Sequence, residues 1–214
     1  MNPDDERLLD EWATLCAERN VFHPEITDQL PAPLAAYARP ERHYHNVHHV
    51  AECLRELDAV RAGFENPAAA GAALLFHDCV YDPTRGDNEE RSADAASAEL
   101  ADLGWDGPFI GRVRELILAT KHSAGPGTGD AGIVADIDLS ILGKEPDVFD
   151  AYDRAIRREY GHVDDEAFAA GRAEVLREFL ARPAIYSTAT FRKGYELAAR
   201  ENLARAIARL EERV

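Results

Sequence analysis

The chain of 214 residues is 46% apolar and 30% charged, enough to build a core and too apolar for a disordered polymer; at roughly 150 residues per domain, one domain covering 1–214 is expected. Forty acidic against 24 basic side chains leave a net charge of -16, and such a surface repels nucleic acid polymers and anionic membranes. No apolar run approaches the ~20 residues that span a bilayer, and the acidic opening MNPDDERLLDEW is unlike a signal peptide, so a cytoplasmic protein is expected.

The periodicity is helical nearly throughout. Leu8, Leu9, Trp12, Leu15 and Cys16 fall at three-and-four spacing and predict an amphipathic helix over 5–20. Pro24, Pro31, Pro33 and Pro40 reduce 25–43 to loop with short turns. A second stripe, Val47, Val50, Leu54, Leu57 and Val60, predicts a helix from His45 to Gly63. Pro67 opens an alanine-rich helix expected to reach Val80. Asn88 is placed to cap a helix over 89–102, and further helices are expected at 108–121, 131–142, 146–160, 164–181 and 188–212. The segment 82–87, DPTRGD, reads as a tight loop, and the small residues of 123–130 read as a lid. No strand alternation and no repeat is present. The expectation is an all-α domain of eight to ten helices. Cys16, Cys53 and Cys79 lack paired spacing and read as reduced, packed thiols.

The eight histidines are unevenly spread. His43, His45, His48 and His49 lie in RHYHNVHH, His77 and Asp78 in LLFHDCVYD, and His122 in ATKHS. On a helix His45 would share a face with His49, and Tyr44 with His48. His77 and Asp78 close an apolar helix, and Asp136 and Asp138 interrupt IVADIDLSILG. Carboxylates in such surroundings need a partner, and a divalent cation is a good one. The best ligand set is His49, His77, Asp78 and Asp138. Two imidazoles and two carboxylates suit Mn, Mg, Ni, Fe, Co or Zn with coordination positions left open, whereas a closed structural zinc site would use cysteines. Arg42, Lys121 and His122 are candidates to bind a phosphoryl group. Asn46, Glu89 and Glu90 are candidates to hold the ligands or their water in place. Arg157, Glu159 and Tyr160 read as a structural salt-bridge and packing set.

The order of these motifs resembles the HD superfamily of metal-dependent phosphohydrolases, in particular a branch of small bacterial proteins. The residues carrying the resemblance are RHYHN at 42–46, FHDCVYDP at 76–83, DNEERSA at 87–93, ATKH at 119–122, DIDLSILG at 136–143 and IRREY at 156–160, with GRAEVL and ARENL further on. The resemblance implies the HD-domain, phosphodiesterase-like helical bundle and the same four ligands. Tyr44-His45-Asn46 followed by His49 is also similar to an element of the cyclic-nucleotide phosphodiesterases, which share the fold. That similarity implies His45 as proton donor to the leaving group and His49 as ligand, and their DLS element favours Asp138 over Asp136. Those enzymes carry a further histidine after HD, where this chain has Tyr81-Asp82-Pro83, so cyclic-nucleotide hydrolysis is not implied. Only His122 lies between the HD pair and Asp138, which implies one tightly bound metal; Asp78 would bridge to a second if one bound.

The function expected is hydrolysis of a small phosphate ester or nucleotide by water activated on the metal, with His45 and Asp78 at the reacting centre. A di-iron oxygenase of the same fold, and a metal- or nucleotide-sensing module without turnover, are the alternatives. The expected partner is a small phosphorylated substrate, not a nucleic acid polymer or a membrane, and the chain is expected to be a monomer or homodimer.

Overall fold

The computed structural model describes residues 2–122 and 127–212. Within them lie nine helices of ten residues or more, two four-residue turns of helix, and no strand, as the sequence periodicity predicts. Helix α1 (Pro3–Glu18) precedes the two short turns, α2 (Pro24–Thr27) and α3 (Ala32–Ala35). Then come α4 (Val47–Val60), α5 (Pro67–Phe76), α6 (Asn88–Asp102), α7 (Gly107–Ala119), α8 (Gly129–Asp138), α9 (Pro146–Glu159), α10 (Asp165–Ala181) and α11 (Ala189–Glu211). No helix among the described residues is long and apolar enough to cross a membrane.

Local chemistry sets the starts. The Asn46 side chain accepts from the His48 and His49 amides and caps α4. Asn66 caps α5, with Pro67 in the first turn. Helix α5 is apolar all round, and its residues from Ala69 to Phe76 are all buried, the mark of a central helix. Helices α1, α4, α7 and α8 pack against it. Gly71 permits the close approach of α1: a Cβ there would lie 2.1 Å from Glu11 Oε1. The buried Glu11 carboxylate pairs in turn with Arg7 and Arg61, which a charge at that depth requires.

The sequence expectation fails in four places. Helix α4 starts at Val47, after its Asn46 cap, and not at His45. Helix α5 ends at Phe76 and not near Val80. The Asp78 and Cys79 carbonyls are bonded to the Arg42 guanidinium, the Asp78 amide donates to the Tyr37 hydroxyl, and the Val80 amide donates to Ser92 Oγ. Those tertiary bonds replace the next helical turn. Asn88 does not cap α6; its side chain accepts from the Asp82 amide and donates to the Asp82 carbonyl, closing the 82–87 loop. Helix α8 already begins at Gly129 and gives way after Asp138 to a tighter 3-10 turn, Leu139–Gly143. Residues 123–126 of the expected lid lie outside the described residues.

The result brings the start of α4, the end of α5 and the end of α8 to one place. A single buried apolar cluster, running from Leu8 to Leu210, surrounds them.

Candidate metal centre

Each candidate ligand sits where a helix begins or ends. His49 is in the first turn of α4, His77 and Asp78 follow the last turn of α5, and Asp138 is the last residue of α8. His49 Nε2 lies 3.0 Å from His77 Nε2. It lies 3.6 Å from Asp78 Oδ2 and 3.2 Å from Asp138 Oδ1. His77 Nε2 lies 3.0 Å from Asp78 Oδ2 and 3.5 Å from Asp138 Oδ1. Donors that share one cation at ~2.0–2.2 Å are spaced at about these distances. The donor chemistry therefore fits a metal ion.

The outer contacts aim the donors inward. His77 Nδ1 is 2.9 Å from the Leu74 carbonyl. A carbonyl only accepts, so Nδ1 carries the proton and the Nε2 lone pair is left for the centre. Asp138 Oδ2 accepts from His122 Nε2 at 2.8 Å, which turns Oδ1 toward His49 and His77. Tyr44 packs its ring 4.6 Å from that of His49.

Charge and burial act against one another here. Burial opposes a charge on His77, yet the Asp78 and Asp138 carboxylates beside it hold its proton well above the ordinary imidazole range. His49 is raised in the same way: burial works against it, and its Cys53, Tyr44, Asp138 and Asp78 neighbours outweigh burial. Burial would push Asp78 and Asp138 up, but the adjoining histidines hold both well below the usual carboxylate range. A cation would take the place of the imidazole protons.

Sequence reading missed Cys53. It joins His49, His77 and Asp138 in a group whose donor atoms all lie within 4.8 Å of one another and which is able to hold a metal ion. One turn beyond His49 on α4, it shares that residue's face, and this i,i+4 relation was the available signal. Its Sγ is 3.8 Å from His49 Nδ1 and 3.9 Å from Nε2, so the sulfur does not lie along the Nε2 lone pair.

His45 precedes the cap of α4, so it shares no helical face with His49. Instead its ring is stacked 4.0 Å from that of Tyr81, the residue following HD-Cys-Val. Its Nδ1 lies 2.7 Å from Glu159 Oε2, and Glu159 Oε1 accepts from the Tyr44 and His45 amides. The carboxylate thus fixes both the ring and its backbone. Burial pushes Glu159 up, but the His45 contact and the amide donors hold it below its ordinary value. Glu159 had read as part of a packing set; its position more than a hundred residues from His45 gave no local sign of this pairing. Tyr44 and His48 do not pair either: His48 lies at the surface against Asp4.

Of Asp136 and Asp138, only the second belongs to the cluster. Asp136 accepts from the Ser187 and Thr188 amides at 2.6 and 2.7 Å, so it fastens the start of α11. Arg42 is buried, with its guanidinium on the His45, Asp78 and Cys79 carbonyls; it ties the two ligand-bearing segments together and is not placed to hold a phosphoryl group. Lys121 pairs with Glu90 in the first turn of α6 and with the Gly86 carbonyl of the 82–87 loop, so both are engaged away from their expected roles. The Glu89 side chain has no hydrogen-bond partner among the described residues. Asn46 supports the cluster through the backbone of His49. His122 is brought to the centre, against Asp138.

A cavity of about 160 Å³ opens beside the cluster, with Tyr44, His45, His122 and Asp138 in its walls. Compared with protein-family profiles, with curated proteins and with solved structures, the chain matches none.

Proposed function

We propose that the chain is a metal-dependent phosphohydrolase acting on small phosphate esters. The observation that carries this reading is the convergence of two imidazoles, 3.0 Å apart and each 3.0–3.6 Å from the Asp78 and Asp138 carboxylates, with a third, carboxylate-braced imidazole next to them. His49, His77, Asp78 and Asp138 would hold one divalent cation. Bound there, a divalent cation polarises water and phosphoryl oxygens and lowers the pKa of the water.

The protein groups supply orientation and a proton. Water adds to phosphorus and releases one proton to solvent, the ester P–O bond breaks, and the leaving oxygen takes a proton from His45 Nε2, which solvent then restores. Glu159 Oε2 keeps the Nδ1 proton in place, so Nε2 is the nitrogen available to the cavity. His122 holds Asp138, and Tyr44 holds His49 from the other side.

Replacing Asp78 by Ala is expected to remove metal and activity together. An Asp78→Ala protein with full metal content and full turnover on a panel of phosphate esters would overturn the reading. Two irons per chain with oxygen consumption would favour the oxygenase alternative instead.

A further inference from the structure

The GRAEVL segment of α10 places Arg172 in the wall of the cavity beside the cluster. Its side chain is only 11% exposed. A buried guanidinium is costly unless its donors are satisfied. Nε bonds Asp153 at 3.2 Å and one terminal nitrogen bonds the Tyr152 hydroxyl at 2.9 Å. A guanidinium carries five N–H donors, and the second terminal nitrogen has no hydrogen-bond partner among the described residues. This cation is therefore held in place with part of its fork unused. Of the residues expected to hold a phosphoryl group, Arg42 and Lys121 are occupied elsewhere and His122 is bonded to Asp138. The rest of the wall is mostly apolar, among it Leu142, Leu176 and Phe179, and the Tyr152 hydroxyl there already accepts from Arg172.

Resting on the hydrolase reading for the chemistry, we propose that Arg172 binds the phosphoryl oxygens of the substrate and that the cavity admits only a compact ester with a short, largely apolar alcohol. The planar fork matches phosphate geometry. The cavity of about 160 Å³ is well below the roughly 300–1,000 Å³ of sites that enclose drug-sized ligands. The cavity opens to solvent, so a nucleotide would fit only with part of it left outside.

Calorimetric titration of inorganic phosphate into manganese-loaded protein reads the contact without turnover. Wild type is expected to bind, and Arg172→Gln to bind about 10- to 100-fold more weakly, the range set by losing hydrogen bonds to a charged group. Manganese content should be unchanged, and Arg172→Lys should recover part of the affinity. Equal affinity in wild type and Arg172→Gln, or no binding by wild type, overturns the assignment. Should Arg172→Gln fail to fold, the double change with Asp153→Asn removes both charges of the buried pair and is judged by the same criterion. Methylphosphonate, propylphosphonate and AMP then test size. The first two are expected to bind and AMP to bind at least about tenfold more weakly; AMP binding as tightly as methylphosphonate overturns the size limit. Phosphate binding that depends on Arg172 with no hydrolysis of any ester would refute the hydrolase reading and leave the anion site standing.

Discussion

Loading the protein with one equivalent of zinc or cobalt distinguishes the four nitrogen and oxygen donors from the nearby thiol. His49 and His77 lie 3.0 Å from one another and 3.0–3.6 Å from Asp78 and Asp138, the spacing of donors that share a cation at about 2.0–2.2 Å. Cys53 Sγ is almost equally far, 3.8 and 3.9 Å, from the two ring nitrogens of His49. A cation on the Nε2 lone pair is then more than about 4 Å from that sulfur, against ~2.3 Å for a zinc–thiolate bond. X-ray absorption fine structure is expected to show nitrogen and oxygen at about 2.0–2.2 Å and no sulfur shell. Metal at a hundredfold excess over Kd adds about 2.7 kcal/mol of stability, which for a chain of 214 residues raises Tm by roughly 5–10 °C. Cys53→Ser should keep that shift, and Asp138→Asn should abolish it. A sulfur neighbour at ~2.3 Å, or loss of the shift in Cys53→Ser alone, would refute the assignment of donors.

Four further outcomes are expected. In metal-free protein the imidazole protons of His49 and His77 are held above 6.5 by their surroundings, so their contribution is complete below 6.5 and is lost as pH rises through the raised values; metal-loaded protein should instead gain stability with pH, because binding displaces those protons, and parallel pH dependence of Tm with and without chelator would refute this. His45→Asn should lower kcat by about 10²–10⁴ at unchanged metal content, with the smaller loss for esters of good leaving groups; equal losses across leaving groups would remove His45 as proton donor. Glu159→Gln should cost about 1–3 kcal/mol in chemical denaturation, because a buried carboxylate with three donors is replaced, and an unchanged midpoint would contradict the bracing role. Asp136→Ala should cost about 1–3 kcal/mol by freeing the Ser187 and Thr188 amides ahead of α11 while retaining metal; metal loss at wild-type stability would reverse the assignments of Asp136 and Asp138.

Most helices were legible because apolar spacing and capping residues are local properties. Pro67 marks a start that the structure keeps, whereas α4 begins only after Asn46 and not at His45. The end of α5 was not legible, since the bonds that halt it come from Arg42, Tyr37 and Ser92 in other segments. The same division runs through the site. Histidines and carboxylates set in apolar helices announce themselves by the cost of burying them, and His49, His77, Asp78 and Asp138 do converge. Basic residues carry no such signal. Arg42 and Lys121 read as anion binders, yet one bonds carbonyls and the other a carboxylate, while Arg172 lay unremarked in a motif. Glu159 shows the same limit, because pairing with a partner 114 positions away leaves no trace in spacing.

Asp136 and Asp138 stand two residues apart and do unrelated work, one securing the last long helix and the other facing the cluster. At 3.6 residues per turn, inserting or deleting a single residue ahead of them would swing both by about 100° in the same direction. Such a change would unfasten the C-terminal segment and disperse the donors in one event. The length of this short stretch is thus constrained twice, and natural variants of the chain should accept substitutions there far more readily than insertions or deletions.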